Sequence, residues 1–220
     1  MEWTPEETKK RVILSAVLPY DHLDSIREMI RNAGGYVGVA LLPGFTKHAR
    51  ILLPVDGTTH LVGLVGYPTG GVTPKTKTTE IREMIYQGCT AFRVVVNTGM
   101  LLSGEWEEVE CDLRSTMLSA GNRPVGVIIE AAYLNDPQLQ RICALATEIG
   151  AESVCAASGW LPILPDGAIL QRLHEFLEGK ALLETAGISS YDQFAAAQQA
   201  GVERFMLRYQ HAEAILAQIS

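Results

Sequence analysis

Arg93 and Glu130 are the charged side chains whose positions most suggest chemistry. Arg93 lies inside the apolar run 92–97, and Glu130 ends the apolar run 125–130. Burying an unpaired guanidinium is very costly, so Arg93 must have a partner. We expect either an ion pair with Glu130 or a bound anion, and the two alternatives overlap because an anionic ligand could share Arg93 with Glu130. Such a carboxyl group is suited to acid or base catalysis.

The other reactive side chains give weaker signals. The four cysteines show no C-x-x-C spacing, and Cys89 and Cys143 lie in apolar helix-like segments that are typical of buried thiols. Lys75 and Lys77 lie in a loop-like segment, where we expect solvated lysines; the alternative, a relocated amine nucleophile, would need desolvation. We expect solvated surface positions for the histidines, which are His22, His48, His60, His174 and His211. No metal-ligand spacing occurs, so we expect neither a metal nor a cofactor.

The composition of this chain of 220 residues narrows the class of protein. The fractions of 47% hydrophobic and 20% charged residues are ordinary for a soluble α/β enzyme. The net charge of −7 argues against a nucleic acid or an anionic membrane as partner. No apolar run approaches the roughly 18 residues of a membrane span, and the acidic start of the chain does not resemble a signal peptide. We therefore expect a cytoplasmic protein.

Short apolar runs alternate with helical periods along the whole sequence. The predicted strands are 12–17, 36–41, 60–66, 92–97, 125–130, 153–157, 181–185 and 204–208. The predicted helices include 22–33, 77–87, 106–119, 137–149, 168–177 and 191–200. The strands are nearly continuous hydrophobic runs, which indicates burial on both faces and hence a parallel sheet covered by helices.

Eight such units predict an α/β fold of the (β/α)8 TIM barrel type. The alternative is an open, doubly wound sheet, but the G-x-G-x-x-G loop expected after its first strand is absent. Because no linker or low-complexity segment interrupts the chain, we predict a single domain over residues 1–220.

Several segments, taken in order, resemble one family of enzymes. Residues 65–71 (VGYPTGG) are similar to a glycine-phenylalanine-proline turn after the third strand, and 127–130 (VIIE) to the fifth strand. Residues 94–107 resemble a strand that ends in asparagine and glycine, followed by lysine-serine-glycine-aspartate-tryptophan. Residues 153–160 (SVCAASGW) resemble a sixth strand that reads valine-lysine-threonine-serine-threonine-glycine-phenylalanine, and 185–189 a glycine-glycine-isoleucine-arginine turn. The family is the class I deoxyribose-phosphate aldolases, and the resemblance covers roughly residues 63–216.

The resemblance implies an aldolase-like barrel whose functional residues have changed. Cys155 stands where the family has the lysine that forms a Schiff base, and a thiol cannot form an iminium. Arg93 stands where the family has a proton-relaying aspartate, and Leu183 where it has a second lysine, which lowers the pKa of the first. Residues 207–210 replace the glycine-serine-serine turn that holds the substrate phosphate, and Ser189 replaces an arginine. The resemblance thus implies the fold without the Schiff-base chemistry or the phosphate site.

The retained aldolase geometry would place Arg93 and Cys155 in one cavity at the C-terminal ends of the strands. Since a nearby cation favours a thiolate, a nucleophilic Cys155 stands as an alternative to an inert buried thiol. We predict Arg93, Glu130 and Cys155 as catalytic residues. The predicted substrate-binding residues are Asn97, Ser158, Thr185, Arg208 and Tyr209. Three aromatic side chains, Tyr67, Tyr133 and Trp160, either wall an apolar pocket or anchor loops.

Two functional hypotheses follow. The first is a lyase, isomerase or cyclase acting on a small carbonyl or carboxylate compound, in which Arg93 anchors an anion and Glu130 is the acid or base. The second is a non-catalytic subunit, scaffold or small-molecule sensor. The retained polar residues Asn97 and Glu130 favour the first hypothesis, and the multiple replacements favour the second. The expected partner is a small molecule, with an anionic compound and a homodimer as open alternatives.

Overall fold

Parallel strands close into a barrel. The computed structural model describes residues 3–54 and 58–219. Its strands are β1 (Val12–Ala16), β2 (Gly38–Leu41), β3 (His60–Val65), β4 (Ala91–Val95), β5 (Val125–Ile128), β6 (Ser153–Cys155), β7 (Leu182–Ala186) and β8 (Arg204–Arg208). Each strand pairs in parallel with the next along the chain, and β8 pairs with β1, so the sheet has no free edge. The predicted (β/α)8 barrel is confirmed.

Helices cover the outer face of the barrel. They are α1 (Pro5–Lys9), α2 (Leu23–Arg31), α3 (Pro43–Leu52), α4 (Pro74–Tyr86), α5 (Thr98–Leu102), α6 (Trp106–Ala120), α7 (Asp136–Glu148), α8 (Gly167–Leu177), α9 (Tyr191–Gln199) and α10 (Tyr209–Leu216). A 3-10 turn (Ala131–Tyr133) follows β5. Within the described ranges, none of these helices combines the length and apolar character that crossing a membrane requires.

Alternate residues of each strand face opposite sides of the barrel wall, because successive side chains of a strand point to opposite faces. Val94, Val127 and Leu183 belong to the large core between the strands and the helices. A smaller cluster fills the barrel interior and includes Ile128 and Cys155. Burial on both faces explains why the strands are nearly continuous apolar runs in the sequence.

Candidate active site

Glu130 stands at the C-terminal end of β5, where the active sites of (β/α)8 barrels are found. Its side chain is buried, and its Oε1 accepts a hydrogen bond of 3.3 Å from the backbone N–H of Ser158. Burial raises the pKa of Glu130, and the hydrogen bonds from Ser158 only partly oppose that effect. A carboxyl group whose pKa is raised can hold or release a proton closer to neutral pH, as general acid–base catalysis requires.

Tyr67 approaches the same place from the end of β3. Its phenol donates a 3.3 Å hydrogen bond to the carbonyl oxygen of Ser158, and its ring packs edge-on against Trp160, with centroids 6.1 Å apart. Burial raises the pKa of Tyr67, and the nearby Glu130 and Cys155 raise it further. Tyr67 is therefore held as a neutral hydrogen-bond donor next to Glu130.

Two glycine turns bring the ends of β6 and β7 together at this face. Gly159 and Gly187 both have positive φ, at 75° and 82°. A Cβ at Gly159 would lie 2.8 Å from the backbone nitrogen of Gly187, so no side chain fits between the two turns. This close approach fixes Ser158, the residue before Gly159, beside Glu130 and Tyr67.

A cavity of about 170 Å3 opens beside Tyr67 and Ser158, between the ends of β1, β7 and β8; Glu130 is next to Ser158 but is not among the residues that line it. Its apolar lining includes Val17, Ile188 and Met206. Its polar side chains are those of Ser15, Tyr67, Ser158, Arg208 and His211. The cavity is smaller than the usual ligand pocket of about 300–1,000 Å3, but its apolar wall with a few converging polar groups is the kind of lining that small-molecule sites have.

Arg208 brings the positive charge at this cavity, but a carboxylate already pairs with it. Its Nη1 and Nη2 donate to both oxygens of Asp21, at 3.1 and 2.9 Å. The guanidinium also lies over the ring of Tyr20, 5.6 Å from the centroid. Arg208 is therefore held in one orientation at the rim, with most of its charge balanced by Asp21.

Comparison with known proteins identifies the family. The sequence is 34% identical to a deoxyribose-phosphate aldolase of Klebsiella pneumoniae, over 100% of this chain and 90% of that protein. The chain belongs to the deoxyribose-phosphate aldolase family. A deoxyribose-phosphate aldolase of Rhizobium meliloti is 30% identical, over 97% of this chain and 88% of its own length. No protein-family model matches the sequence.

Solved structures agree on the fold. The aldolase QR15 superposes with a TM-score of 0.87 at 19% identity, covering 96% of both chains. The tetrameric deoxyribose phosphate aldolase of Aeropyrum pernix superposes with a TM-score of 0.80 at 21% identity, covering 97% of this chain and 91% of its own.

Arg93 is buried inside the barrel, but its predicted ion pair with Glu130 is wrong. Its Nε and Nη2 contact the Glu184 carboxylate at 2.9 to 3.1 Å, and its Nη1 lies 3.3 Å from Glu152. Glu152 also pairs with Arg204 at 2.8 Å. Because Glu152 and Arg204 stand at the N-terminal ends of β6 and β8, Arg93 extends toward the barrel floor and away from the mouth.

Gly126 makes room for this arrangement. A Cβ at Gly126 would lie 2.6 Å from Cδ of Arg93 and 2.4 Å from Oγ of Ser153. The Ser153 hydroxyl donates to Glu184 at 3.1 Å. We call the set of Arg93, Glu152, Glu184 and Arg204 the floor cluster. Its carboxylates neutralise Arg93, so the expected anion-binding role of that residue has no support in the geometry.

Cys155 lies in the barrel interior as predicted, but not as an activated thiol. It is fully buried, and its Sγ donates to the carbonyl oxygen of Ala157 at 3.1 Å. Burial raises the pKa of Cys155 well above its usual value, and the charge of Glu184 raises it further; the smaller, opposite effect of Arg93 does not compensate. Arg93 does lower this pKa, as expected, but burial and Glu184 outweigh it; Cys155 is therefore a protonated thiol at neutral pH, and the alternative of a nucleophilic Cys155 has no support in the geometry.

The structure brings only part of the predicted substrate-binding set to the mouth. Ser158 and Arg208 line the cavity there. Asn97 instead caps α5, where its Oδ1 accepts from the N–H of Met100 at 3.1 Å. Thr185 alternates with the inward-facing Glu184 and therefore faces the helix layer. Tyr209 is buried among the helices, and its hydroxyl contacts Glu28 of α2 at 3.2 Å.

The lysines all lie outside the barrel strands. The chain contains six of them: Lys9, Lys10, Lys47, Lys75, Lys77 and Lys180. The solvated position expected for Lys77 is wrong, because its side chain is fully buried and its ammonium binds the carbonyl oxygen of Val95 and the carboxylate of Asp112. An ammonium paired with a carboxylate is not a free amine nucleophile. Lys75 is exposed, as expected.

Sequence reasoning missed Ser15, Asp21 and His211 at the mouth. His211 was expected to be solvated, but it lies in the first turn of α10, directly after β8, and lines the cavity. Ser15 is the only polar residue of β1 and alternates with Ile13, which was the available signal for a polar side chain inside the barrel. Asp21 follows β1 by five residues, and nothing in its surroundings predicts the contact with Arg208.

Proposed function

We propose that this member of the deoxyribose-phosphate aldolase family carries out lyase, isomerase or cyclase chemistry on a small carbonyl or carboxylate compound without forming a Schiff base. The observation that carries the proposal is Glu130, whose carboxyl group stands at the barrel mouth with a raised pKa beside the neutral phenol of Tyr67. Glu130 can remove a proton next to a carbonyl group while the phenol of Tyr67, on exchanging its hydrogen bond to the carbonyl oxygen of Ser158 for one to the substrate, polarises that carbonyl.

The distribution of lysines supports the absence of iminium chemistry. None of the six lysines lies on a barrel strand, and the resemblance assigns the position of the Schiff-base lysine to Cys155. A buried, protonated thiol cannot replace an amine in that reaction. In this proposal Cys155 fills space beneath the site, and Glu130 is the reacting group.

The rim favours a substrate without a phosphate group. The cavity is small, at about 170 Å3, and the cation at its rim, Arg208, is already paired with Asp21. A dianionic phosphate would have to compete with that carboxylate, whereas a carbonyl or a single carboxylate needs only one or two donors. Those donors would be Ser15, His211 and the N–H groups of Arg208 that do not bind Asp21.

A proton-exchange experiment tests the proposal. Small aldehydes, ketones and keto acids are incubated in D2O, and the loss of the proton signal next to the carbonyl is followed by NMR. We expect exchange with the wild-type protein and a loss of at least about 100-fold in Glu130→Gln, the usual contribution of a general base. Glu107→Gln, which changes an exposed carboxylate of α6, is the matched control. Exchange that is equal in wild type and Glu130→Gln would overturn the assignment of Glu130.

Borohydride trapping tests the other half of the proposal. Reduction in the presence of acetaldehyde or deoxyribose 5-phosphate should add no mass to the protein. A stable adduct on any lysine, Lys75 and Lys77 included, would show that iminium chemistry persists.

The second candidate is a non-catalytic scaffold or small-molecule sensor. The pairing of Arg208 with Asp21 favours it, because that cation is not held free for a substrate. A sensor would bind a compound at the mouth, detected as a saturable shift in melting temperature, and would show no proton exchange with it. The molar mass measured by light scattering tests the alternative of a homodimer.

A further inference from the structure

A second cavity lies outside the barrel, among the loops and helices that follow β3 and β4, and it shares no lining residue with the cavity at the mouth. It has a volume of about 240 Å3 and lies between the segment before α4 and the helices α5 and α6. At about 30 Å3 for each water, the cavity has room for roughly eight waters or an organic molecule of similar size. Nothing in the proposed chemistry at Glu130 uses it.

Asp112 of α6 lines this cavity with an unpartnered oxygen. Its Oδ2 binds the ammonium of Lys77, but its Oδ1 is buried without any hydrogen-bond partner in the described part of the chain. Asp112 is only 5% exposed. Burial raises the pKa of Asp112, and Lys77 opposes that effect only in part. A buried carboxylate oxygen without a donor is costly, so the group is poised to accept a hydrogen bond from a ligand.

The remaining lining determines which ligand fits. The charged residues of the lining are Asp112 and Glu108, both acidic, and Lys77 is already engaged with Asp112 and the carbonyl of Val95. Val72, Pro74, Met100 and Val109 supply apolar surface.

The helix starts at this cavity do not offset its acidity. Thr73 caps the start of α4 and Asn97 the start of α5, so side-chain oxygens already bind amides there. The cavity thus combines excess negative charge with an apolar wall.

We propose that this cavity is a binding site for a small primary ammonium compound with a short apolar chain. The ammonium donates to Oδ1 of Asp112 and is attracted by Glu108, while the chain packs against Val72 and Met100. Because three N–H donors are available on such a group, one ligand satisfies Asp112 and keeps further donors for Glu108 or water. This site is separate from the mouth and does not depend on the reaction proposed there.

The experiment uses n-butylammonium chloride as the probe and the methionine methyl signals as the readout. Met100 is one of six methionines, and Met100→Leu assigns its signal. With wild-type protein we expect a saturable shift confined to the Met100 methyl, and a rise in melting temperature of about 3–6 °C at ten times the dissociation constant. Butan-1-ol and sodium chloride at equal concentration are the matched probes, and neither should produce the shift.

Matched variants locate the contact. Glu108→Gln should weaken binding at least about threefold, whereas its neighbour Glu107→Gln, which does not line the cavity, should leave binding unchanged. Asp112→Asn should abolish binding, but that variant also loses the charge partner of Lys77. Val72→Arg is therefore an independent test, because a cation at the rim should repel the ammonium and weaken binding. Val72→Gln is its uncharged control and should not repel the ammonium.

Several outcomes would overturn the proposal. They are a wild-type protein without a saturable Met100 shift, an equal response to butan-1-ol or to sodium ions, and equal losses in Glu107→Gln and Glu108→Gln. Retained binding in Val72→Arg would likewise place the ammonium elsewhere.

Discussion

Removing the positive charge of Arg93 should strongly destabilise the fold. Arg93→Met keeps a long apolar stem but leaves the fully buried Glu184 without its guanidinium partner. Breaking a buried ion pair from one side typically costs about 3–5 kcal/mol. At about 2–4 °C for each kcal/mol in a chain of this size, the melting temperature should fall by roughly 6–20 °C.

A double variant separates the lost pair from simple loss of packing. Glu184→Gln removes the charge but keeps an oxygen that accepts from the Ser153 hydroxyl. Arg93→Met combined with Glu184→Gln should therefore regain at least about half of the lost stability, since no unpaired charge remains in the floor cluster. Glu152 keeps its contact with Arg204 in both variants.

Calorimetry and urea unfolding give the free energies of unfolding of the single and the double variant. Arg27→Met is the control, because that arginine forms an exposed pair with Asp24 and should change stability by no more than about 1 kcal/mol. The reasoning is refuted if Arg93→Met costs less than about 1 kcal/mol, or if the double variant is no more stable than the single one.

Three further predictions concern the mouth and the interior. Glu130→Gln should raise the melting temperature by about 2 °C or more at pH 8. Because the folded state raises the pKa of Glu130, wild-type stability is lost as the pH rises from the unfolded-state pKa to the raised folded-state pKa, and the loss is complete above the latter. The gain in Glu130→Gln should therefore vanish as the pH falls to 4, and a gain that persists there contradicts the prediction. Iodoacetamide should alkylate the exposed Cys111 at least about 100-fold faster than the buried Cys155, as mass spectrometry of peptides would show, and comparable rates would contradict the burial of a protonated thiol. Deoxyribose 5-phosphate should bind with a dissociation constant above about 1 mM by calorimetry, and micromolar binding would refute the lack of a phosphate site.

The barrel was predictable from the sequence, but the direction of charged side chains within it was not. Apolar runs and helical periods repeat at the spacing of a (β/α)8 barrel, and every predicted strand overlaps an observed one. The prediction that Glu130 is the partner of Arg93 failed because side-chain alternation only places Arg93 inside the barrel. It does not distinguish carboxylates at the mouth, such as Glu130, from those at the floor, such as Glu184. The sequence does not say whether an arginine in mid-strand extends toward the floor or toward the mouth.

A one-residue difference explains the error on β7. The resemblance placed Leu183 at a catalytic position, which would have to face Cys155, but Leu183 packs against the helices and Glu184 faces inward. Side chains alternate along a strand, so a slip of one residue exchanges the two faces. Glu184 lies between Leu183 and Thr185 in the sequence, and only the closed barrel shows that Arg93 and Ser153 surround it.

The carboxylates around Cys155 also bear on whether one substitution could introduce amine chemistry at this position. An amine attacks a carbonyl only in its uncharged form, yet a lysine placed there by Cys155→Lys would enter the same field of Glu184 and Glu130 that now disfavours the thiolate. Negative neighbours stabilise an ammonium, so the new side chain would stay protonated and inert. An amine catalyst at position 155 would therefore require a change in the barrel floor as well, because Glu184 would have to be replaced before a lysine there could react as a free amine.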